Sequence, residues 1–222
     1  MFNGCTGLTD APNLPATSLA SSCYYWMFNK CTSLTGVQAS LPATELAPYC
    51  YNHMFSGCTA LTDAPNLPAS TLAERCYLDM FAGCTSLTGV PATLPAITLA
   101  DRCYTNMFSG CTALTDAPYL PATTLVNRCY YGMFQGCSSL TSINVELTAW
   151  NDSDSATTDW VSGVAASGTF AKSNSLPEEY GTSRIPTNWS ISQYVEPDPF
   201  SGSLIFKSTG NTTVSFNKIG NP

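Results

Sequence analysis

The stretch Met80–Thr88 reads Met-Phe-Ala-Gly-Cys-Thr-Ser-Leu-Thr, and its pattern Met-Phe-x-Gly-Cys-Thr/Ser-x-Leu-Thr recurs along this 222-residue chain. The other copies start at Met1, Met27, Met54, Met107 and Met133, and the copy at Met27 has Lys30 in place of the glycine. Successive motifs therefore begin 26 or 27 residues apart, and a fixed period in this range is typical of a chain wound into similar coils. Because each coil contacts only its neighbours, the sequence predicts a solenoid whose long exposed faces suit binding better than catalysis.

Each coil contains two predicted elements of secondary structure. Leu72, Cys76 and Met80 follow one another at four-residue spacing, which indicates an apolar stripe of helical period. Gly83 stands where a left-handed residue would close such a helix. The extended segment that follows, as far as Pro91, indicates the short strand of a leucine-rich repeat. We therefore predict a right-handed α/β solenoid of about five and a half coils, each with a short parallel strand and a helix of about three turns.

The coils alternate between two types, so that the longer repeat unit is a pair of coils. Three coils read Leu-Thr-Asp-Ala-Pro and two read Leu-Thr-Gly-Val. The aspartate of the first type recurs in every second coil. If the coils are spaced like the strands of a sheet, successive copies of this aspartate lie about 10 Å apart. Recurrence by duplication, with the carboxylate bonding its local turn, explains this column more simply than a pair of catalytic carboxylates. The acidic column consists of Asp10, Asp63 and Asp116.

The segment Phe81–Thr88 resembles the BspA-like leucine-rich repeats of bacterial surface proteins, which run roughly Ile-Gly-x-x-Ala-Phe-x-x-Cys-x-x-Leu-Thr-x-Ile. Cys76 stands where that family has Ile, Met80 stands where it has Ala, and a Leu-Pro-Ala insertion lengthens each repeat. The resemblance covers residues 1–145. It implies a leucine-rich-repeat fold and a role in adhesion to host surfaces and matrix proteins. Similar repeats occur in proteins of gut bacteria and of bacteriophages.

Three regions are predicted along the chain. Residues 1–145 form the BspA-like repeats, residues 146–194 form a C-terminal cap, and residues 195–222 form a β-hairpin that either packs on the cap or, as we favour, starts a further β-domain. The cap is needed because a stack leaves its last apolar face open. The candidates for its lid are Trp150, Val161 and Phe170.

Ten of the eleven cysteines form five pairs with eight-residue spacing, and Cys5 has no partner. Each cysteine recurs at an otherwise apolar position of the repeat, which favours columns of buried free thiols. Disulfides within each repeat stay open as an alternative, whereas the lack of closely spaced pairs argues against structural zinc. Because Cys5 lacks its partner and Met1 falls in mid-coil, we expect the chain to be a segment of a longer protein.

The composition argues against several classes of function. Charged residues make up 10% of the chain, the net charge is −7, and the basic residues do not cluster, so we expect no binding to nucleic acid. No apolar run approaches the roughly 18 residues that span a bilayer, so we expect no membrane insertion by this segment. The single histidine, His53, occupies a variable position and has no evident nucleophile to activate. We therefore expect no enzymatic activity, no cofactor and no metal site.

Aromatic residues are the remaining candidates for a binding site. A tyrosine follows the first cysteine of every full coil, and such a recurring position favours packing. Aromatic residues that do not recur are better candidates, because exposed Tyr and Trp dominate interface hot spots and stack on sugars. The predicted binding residues are Tyr25, Trp26, Tyr49, Tyr119 and Tyr131.

These patterns favour a non-enzymatic binding scaffold, part of a bacterial cell-surface or secreted adhesin. Its expected partner is a protein or glycan of a host or bacterial surface, and its expected location is extracellular or at the cell surface. One alternative is a tail-fibre or receptor-binding segment of a bacteriophage, which would belong to the virion. Another alternative is a structural spacer in a larger surface protein.

Overall fold

The computed structural model describes residues 1–151 and 153–193, which form a stack of similar coils. Backbone N–H groups of one coil donate to carbonyl oxygens of the next coil about 26 residues later. The Phe28 N–H, for example, donates to the Met54 oxygen at 2.9 Å. The hairpin predicted at residues 195–222 lies outside the described residues.

The predicted leucine-rich-repeat solenoid, with a helix and a strand in every coil, is wrong. The part of the chain that the structure describes contains no helix and only three strands, β1 (Ser142–Val145), β2 (Thr169–Lys172) and β3 (Ser190–Gln193). They form one parallel sheet in the order β1-β2-β3, with Ser142 opposite Thr169 and Thr169 opposite Ser190. The preceding coils are joined by isolated parallel bridges in place of continuous strands.

The segment expected to be helical is a chain of tight turns. Alternate N–H groups bond within the coil, as from Cys76 to Ala73, and the intervening ones bond to the next coil, as from Tyr77 to Cys103. An α-helix would direct all of these donors into its own segment. It would also keep every φ near −60°, whereas every fourth residue here is left-handed. The left-handed residues of this coil, with φ of +52° to +74°, are Arg75, Asp79 and Gly83.

The apolar spacing that suggested a helix belongs to this turn chain instead. Cys76, Met80 and Cys84 lie at a strict four-residue period and are all fully buried. A helix repeats every 3.6 residues, so side chains spaced strictly four residues apart drift around the helix axis. In a chain of four-residue turns, the same spacing keeps these side chains on the side that faces the core. Leu72, the first residue of the predicted stripe, is only half-buried.

Two columns of stacked aromatic rings run through the core. Neighbouring phenylalanine rings lie 5.5–5.8 Å apart between centroids, and neighbouring tyrosine rings lie 5.7–5.9 Å apart. The recurring tyrosines are therefore packing residues, as predicted. The two columns consist of Phe2, Phe28, Phe55, Phe81, Phe108 and Phe134, and of Tyr24, Tyr51, Tyr77, Tyr104 and Tyr130.

All eleven cysteines are free, and nine of them are buried, so the preference for buried thiols over disulfides is confirmed. The second cysteine of each coil joins neighbouring coils, because its thiol donates to a phenylalanine carbonyl of the preceding coil. In one coil Cys84 Sγ lies 3.1 Å from the Phe55 oxygen. Four other cysteines make the same bond at 3.0–3.1 Å. Cys5 and Cys23 are exposed.

Neighbouring coils meet in two alternating ways. Within a pair, Asp10 bridges to Gly36 and Asp63 bridges to Gly89. A Cβ atom on either glycine would lie 2.2 Å from the aspartate oxygen, so glycine leaves room for that carboxylate. In all three Asp-type coils the carboxylate accepts a bond of 2.7–2.8 Å from the preceding threonine hydroxyl. The bridges between pairs are Ser40–Asn66, Glu45–Thr71 and Thr93–Tyr119.

The backbone repeat continues where the sequence repeat fades. The Tyr130 N–H donates to the Ala156 oxygen and the Phe134 N–H donates to the Trp160 oxygen, which continues the coil-to-coil pattern. Trp160 is fully buried and closes both aromatic columns, with its ring 6.1 Å from Tyr130 and 6.3 Å from Phe134. The predicted lid residues pack nearby: Val161 and Phe170 are buried, and Trp150 is half-buried.

Candidate binding surface

The chain of turns presents one face of every coil to solvent, and we call this surface the turn face. In the coils after the first, the tyrosine, methionine, phenylalanine and cysteine of the turn chain pack inward, while the residues between them, apart from the buried Asn52, Thr105 and Gly132, stay exposed or half-buried. The latter vary from coil to coil although the backbone does not. The turn face consists of the exposed and half-buried residues within 22–30, 49–57, 75–83, 102–110 and 128–136.

Two of the predicted binding residues form an exposed aromatic pair on the turn face. The rings of Tyr25 and Trp26 stack with centroids 5.1 Å apart and planes 11° from parallel. Their residues are 43% and 41% exposed, in a structure whose other large apolar side chains are mostly buried. Trp26 has a left-handed backbone, with φ of +53°. This turn geometry, and not a helix, therefore determines where the indole lies.

His53 supports this pair from the next coil and was not predicted as a site residue. Its ring meets the Trp26 ring edge-on at 5.7 Å and the Tyr25 ring at 6.4 Å. Its Nδ1 contacts the Asn52 Oδ1, and its Nε2 lies 3.5 Å from an oxygen of Asp79. We call Tyr25, Trp26 and His53 the aromatic cluster.

A polar column continues from the aromatic cluster across two further coils. Burial lowers the pKa of His53, and the Asp79 carboxylate opposes that shift. Burial likewise raises the pKa of Asp79, opposed by His53 and by a hydrogen bond from the Asn106 side chain. The imidazole is therefore held in place by oxygen partners while its neutral form is favoured.

Tyr49 also lies on the turn face, in the same coil as His53. Its ring packs under the guanidinium of Arg75, whose carbon lies 5.2 Å from the ring centroid. Its hydroxyl contacts Arg75 and lies 3.3 Å from an oxygen of Glu74. Arg75 and Glu74 are themselves paired at 3.2 Å. The polar end of Tyr49 is thus engaged within the protein, and its half-buried ring is less available than those of the aromatic cluster.

The remaining two predicted residues lie elsewhere. Tyr131 is on the turn face four coils from Tyr25, half-buried, with the Arg128 guanidinium 5.6 Å above its ring. Tyr119 lies outside the turn face and joins two pairs of coils. Its N–H donates to Ala92 and its oxygen accepts from Leu94. The five predicted residues therefore do not form one site, and only Tyr25 and Trp26 contact each other.

The described residues contain no group of three or more His, Cys, Asp or Glu side chains placed to hold a metal ion. In the same part of the chain, no helix is long and apolar enough to cross a membrane. Comparison with known proteins finds no matching family description, no matching curated protein and no matching solved structure.

Proposed function

We propose that this chain is a non-enzymatic binding scaffold from a bacterial cell-surface or secreted adhesin, and that it recognises a protein or glycan through the aromatic cluster. The observation that carries this proposal is the stacked, exposed pair of Tyr25 and Trp26 on an otherwise well-packed stack. Such rings supply large contact area at low entropic cost, and Trp and Tyr are enriched among the residues that dominate binding energy.

The contrast between core and surface supports this role. Core columns repeat the same side chains in coil after coil, which produces a regular scaffold. The turn-face position of Trp26 is occupied in the following coils by His53, Asp79 and Asn106, so its chemistry changes at every step while the backbone is retained. The resemblance of the repeat motif to BspA-like surface proteins is the basis for placing this scaffold at a bacterial surface.

Local charges favour a polar but uncharged partner surface. Near the aromatic cluster, Arg75 is paired with Glu74, and in the next coil Arg102 lies 3.5 Å from Asp101. Because both of these guanidinium groups are paired with carboxylates, this part of the turn face presents hydrogen-bonding groups without a strong field of one sign. Rim pairs of this kind contribute little affinity, so most of the binding energy is assigned to the aromatic rings.

The test is binding of the labelled protein to a mixed array of glycans and extracellular-matrix proteins, followed by Trp26→Ala on any ligand found. We expect affinity to fall at least about tenfold, which corresponds to about 1.4 kcal/mol. Tyr25→Ala should weaken binding similarly. The matched control is Tyr131→Ala, because Tyr131 occupies the position of Tyr25 in a coil far from the cluster. A folded protein that binds nothing on the array, or binds equally well without Trp26, would refute the proposal.

A further inference from the structure

A concave site lies near the C-terminal end of the stack, away from the aromatic cluster. Its cavity has a volume of about 390 Å³ and is lined by Asn151, residues 155–158 and residues 180–184. This volume falls in the lower part of the range of about 300–1,000 Å³ that is usual for small-molecule sites. No part of the proposed function uses this cavity.

The cavity opens where the repeat changes one side chain. Arg75, Arg102 and Arg128 occupy the same left-handed position in three successive coils, and Ser155 takes that position in the next coil. The backbone continues unchanged, because the Arg128 N–H donates to the Asp154 oxygen at 3.0 Å. Replacing a long side chain by serine on a continuous backbone leaves a recess beside the turn face.

Hydroxyl groups line this recess, and some of them hold its wall in place. Thr157 donates to the Ser183 carbonyl at 2.9 Å, and the Ser183 hydroxyl accepts from the Asp159 N–H at 3.0 Å. Thr182 donates to the Asp159 carboxylate at 3.1 Å. These bonds join the last turn chain to the loop that faces it, so the recess is preformed.

Other hydroxyls in the recess remain available to a ligand. The side chains of Ser155, Thr158 and Tyr180 all line the cavity, and none of them bonds to another side chain or to the backbone among the described residues. Tyr180 is 51% exposed, so its ring offers an apolar surface to a ligand. An aromatic face beside several free hydroxyls suits a ligand that has both apolar C–H groups and many hydroxyls.

The charge of the recess is nearly balanced. Among the described residues, its only cationic lining residue is Arg184, which donates to the Glu179 carboxylate at 2.9 Å and lies 5.2 Å from the centroid of the Trp150 ring. A ligand therefore meets a guanidinium that is already paired. This arrangement favours a neutral ligand over an anionic one.

We infer that this cavity binds one ring of a neutral saccharide, with the Ser155 and Thr158 hydroxyls bonding to the sugar and the Tyr180 ring packing against it. The site is separate from the aromatic cluster, and it stands even if no ligand is found for that cluster.

The test uses lactose, maltose and cellobiose as probes, each titrated into the protein with calorimetry and with NMR of the backbone amides. At least one probe should shift the amides of Thr158 and Thr182. The variant Ser155→Tyr fills the recess, and Tyr49 shows that this left-handed position, with φ of +58°, accepts a tyrosine. The matched control is Ser22→Tyr, because Ser22 holds the same position, also with φ of +58°, at the other end of the stack.

We expect Ser155→Tyr to weaken saccharide binding at least tenfold, while Ser22→Tyr leaves it unchanged. Thr158→Val, which keeps the side-chain shape and removes the hydroxyl, should also weaken it. Thermal unfolding of each variant verifies that the stack is intact. If no probe binds the wild-type protein, or if binding survives Ser155→Tyr, the inference is wrong. A shift confined to residues near Trp26 would assign saccharide binding to the aromatic cluster alone.

Discussion

Replacing Trp160 by alanine is the most direct test of how the stack is closed. The indole is fully buried, contacts the ends of both aromatic columns, and donates from Nε1 to the Arg184 oxygen at 2.8 Å. Burying such a ring removes on the order of 200 Å² from water, worth about 5 kcal/mol at about 25 cal/mol per Å². Measured losses for buried Trp→Ala substitutions are about 3–5 kcal/mol, so we expect a loss of about 4 kcal/mol.

The assay is equilibrium unfolding in urea, with Trp26→Ala as the matched control. Trp26 is 41% exposed, so the same substitution there should cost about 1 kcal/mol or less. Because coils in a stack contact only their neighbours, the damage should also be local. Amide exchange should accelerate in residues 128–163 in Trp160→Ala, while residues 49–83 keep most of their protection. Equal losses for the two tryptophans, or exchange that accelerates evenly along the chain, would refute this account of the cap.

Three further outcomes follow from other contacts. Gly89→Ala should destabilise the stack by about 1–3 kcal/mol in urea unfolding, because the new methyl group would clash with the Asp63 carboxylate. Adding Asp63→Ala should restore most of the lost stability. A double variant as unstable as Gly89→Ala would exclude this clash. Burial raises the pKa of Cys58 to about 12, whereas the thiol of an unfolded chain has a pKa of about 8.5. The buried thiol therefore stabilises the fold fully below the unfolded pKa, and this stabilisation is lost as pH rises towards 12. Urea unfolding midpoints that stay constant over this pH range would contradict this prediction. Asp79→Asn should lower the pKa of His53 further, because Asp79 opposes the effect of burial; NMR titration of the imidazole measures the shift, and a rise would contradict the assigned contact.

The sequence predicted the period of the fold but not its local conformation. Residues spaced i, i+4 and i+8, such as Cys76, Met80 and Cys84, fit both a helix and a chain of four-residue turns. The feature that separates them is the left-handed residue at every fourth position. A glycine at these positions would have indicated the left-handed conformation in the sequence, but Arg75 and Asp79 give no such signal. A residue with a side chain adopts this conformation only at an energetic cost, which the coil-to-coil hydrogen bonds offset here.

The candidate site was predictable only in part. Tyr25 and Trp26 stand out because their positions change from coil to coil while the scaffold does not, and both residues are exposed. Their contact with His53 depends on the coil-to-coil register of the turn chain, which a helical coil would not reproduce. The continuation of the stack through Trp160 has a faint signal, since Trp-Val-Ser-Gly at residues 160–163 follows the spacing of Met-Phe-x-Gly. Neither composition nor spacing indicated the recess at Ser155, because its wall is formed by a loop outside the repeat.

The alternation of aspartate and glycine limits how the array can gain or lose length by recombination. Loss of the single coil around Gly36 would place Asp10 directly before the coil of Asp63. The Asp10 carboxylate would then face Asp63 in place of Gly36, which has no side chain. The two aspartates would clash sterically and repel each other electrostatically. Loss or gain of two coils together preserves every junction. Length variants of this protein should therefore differ by whole pairs, so that exchange between gene copies moves the turn-face residues in blocks of two coils.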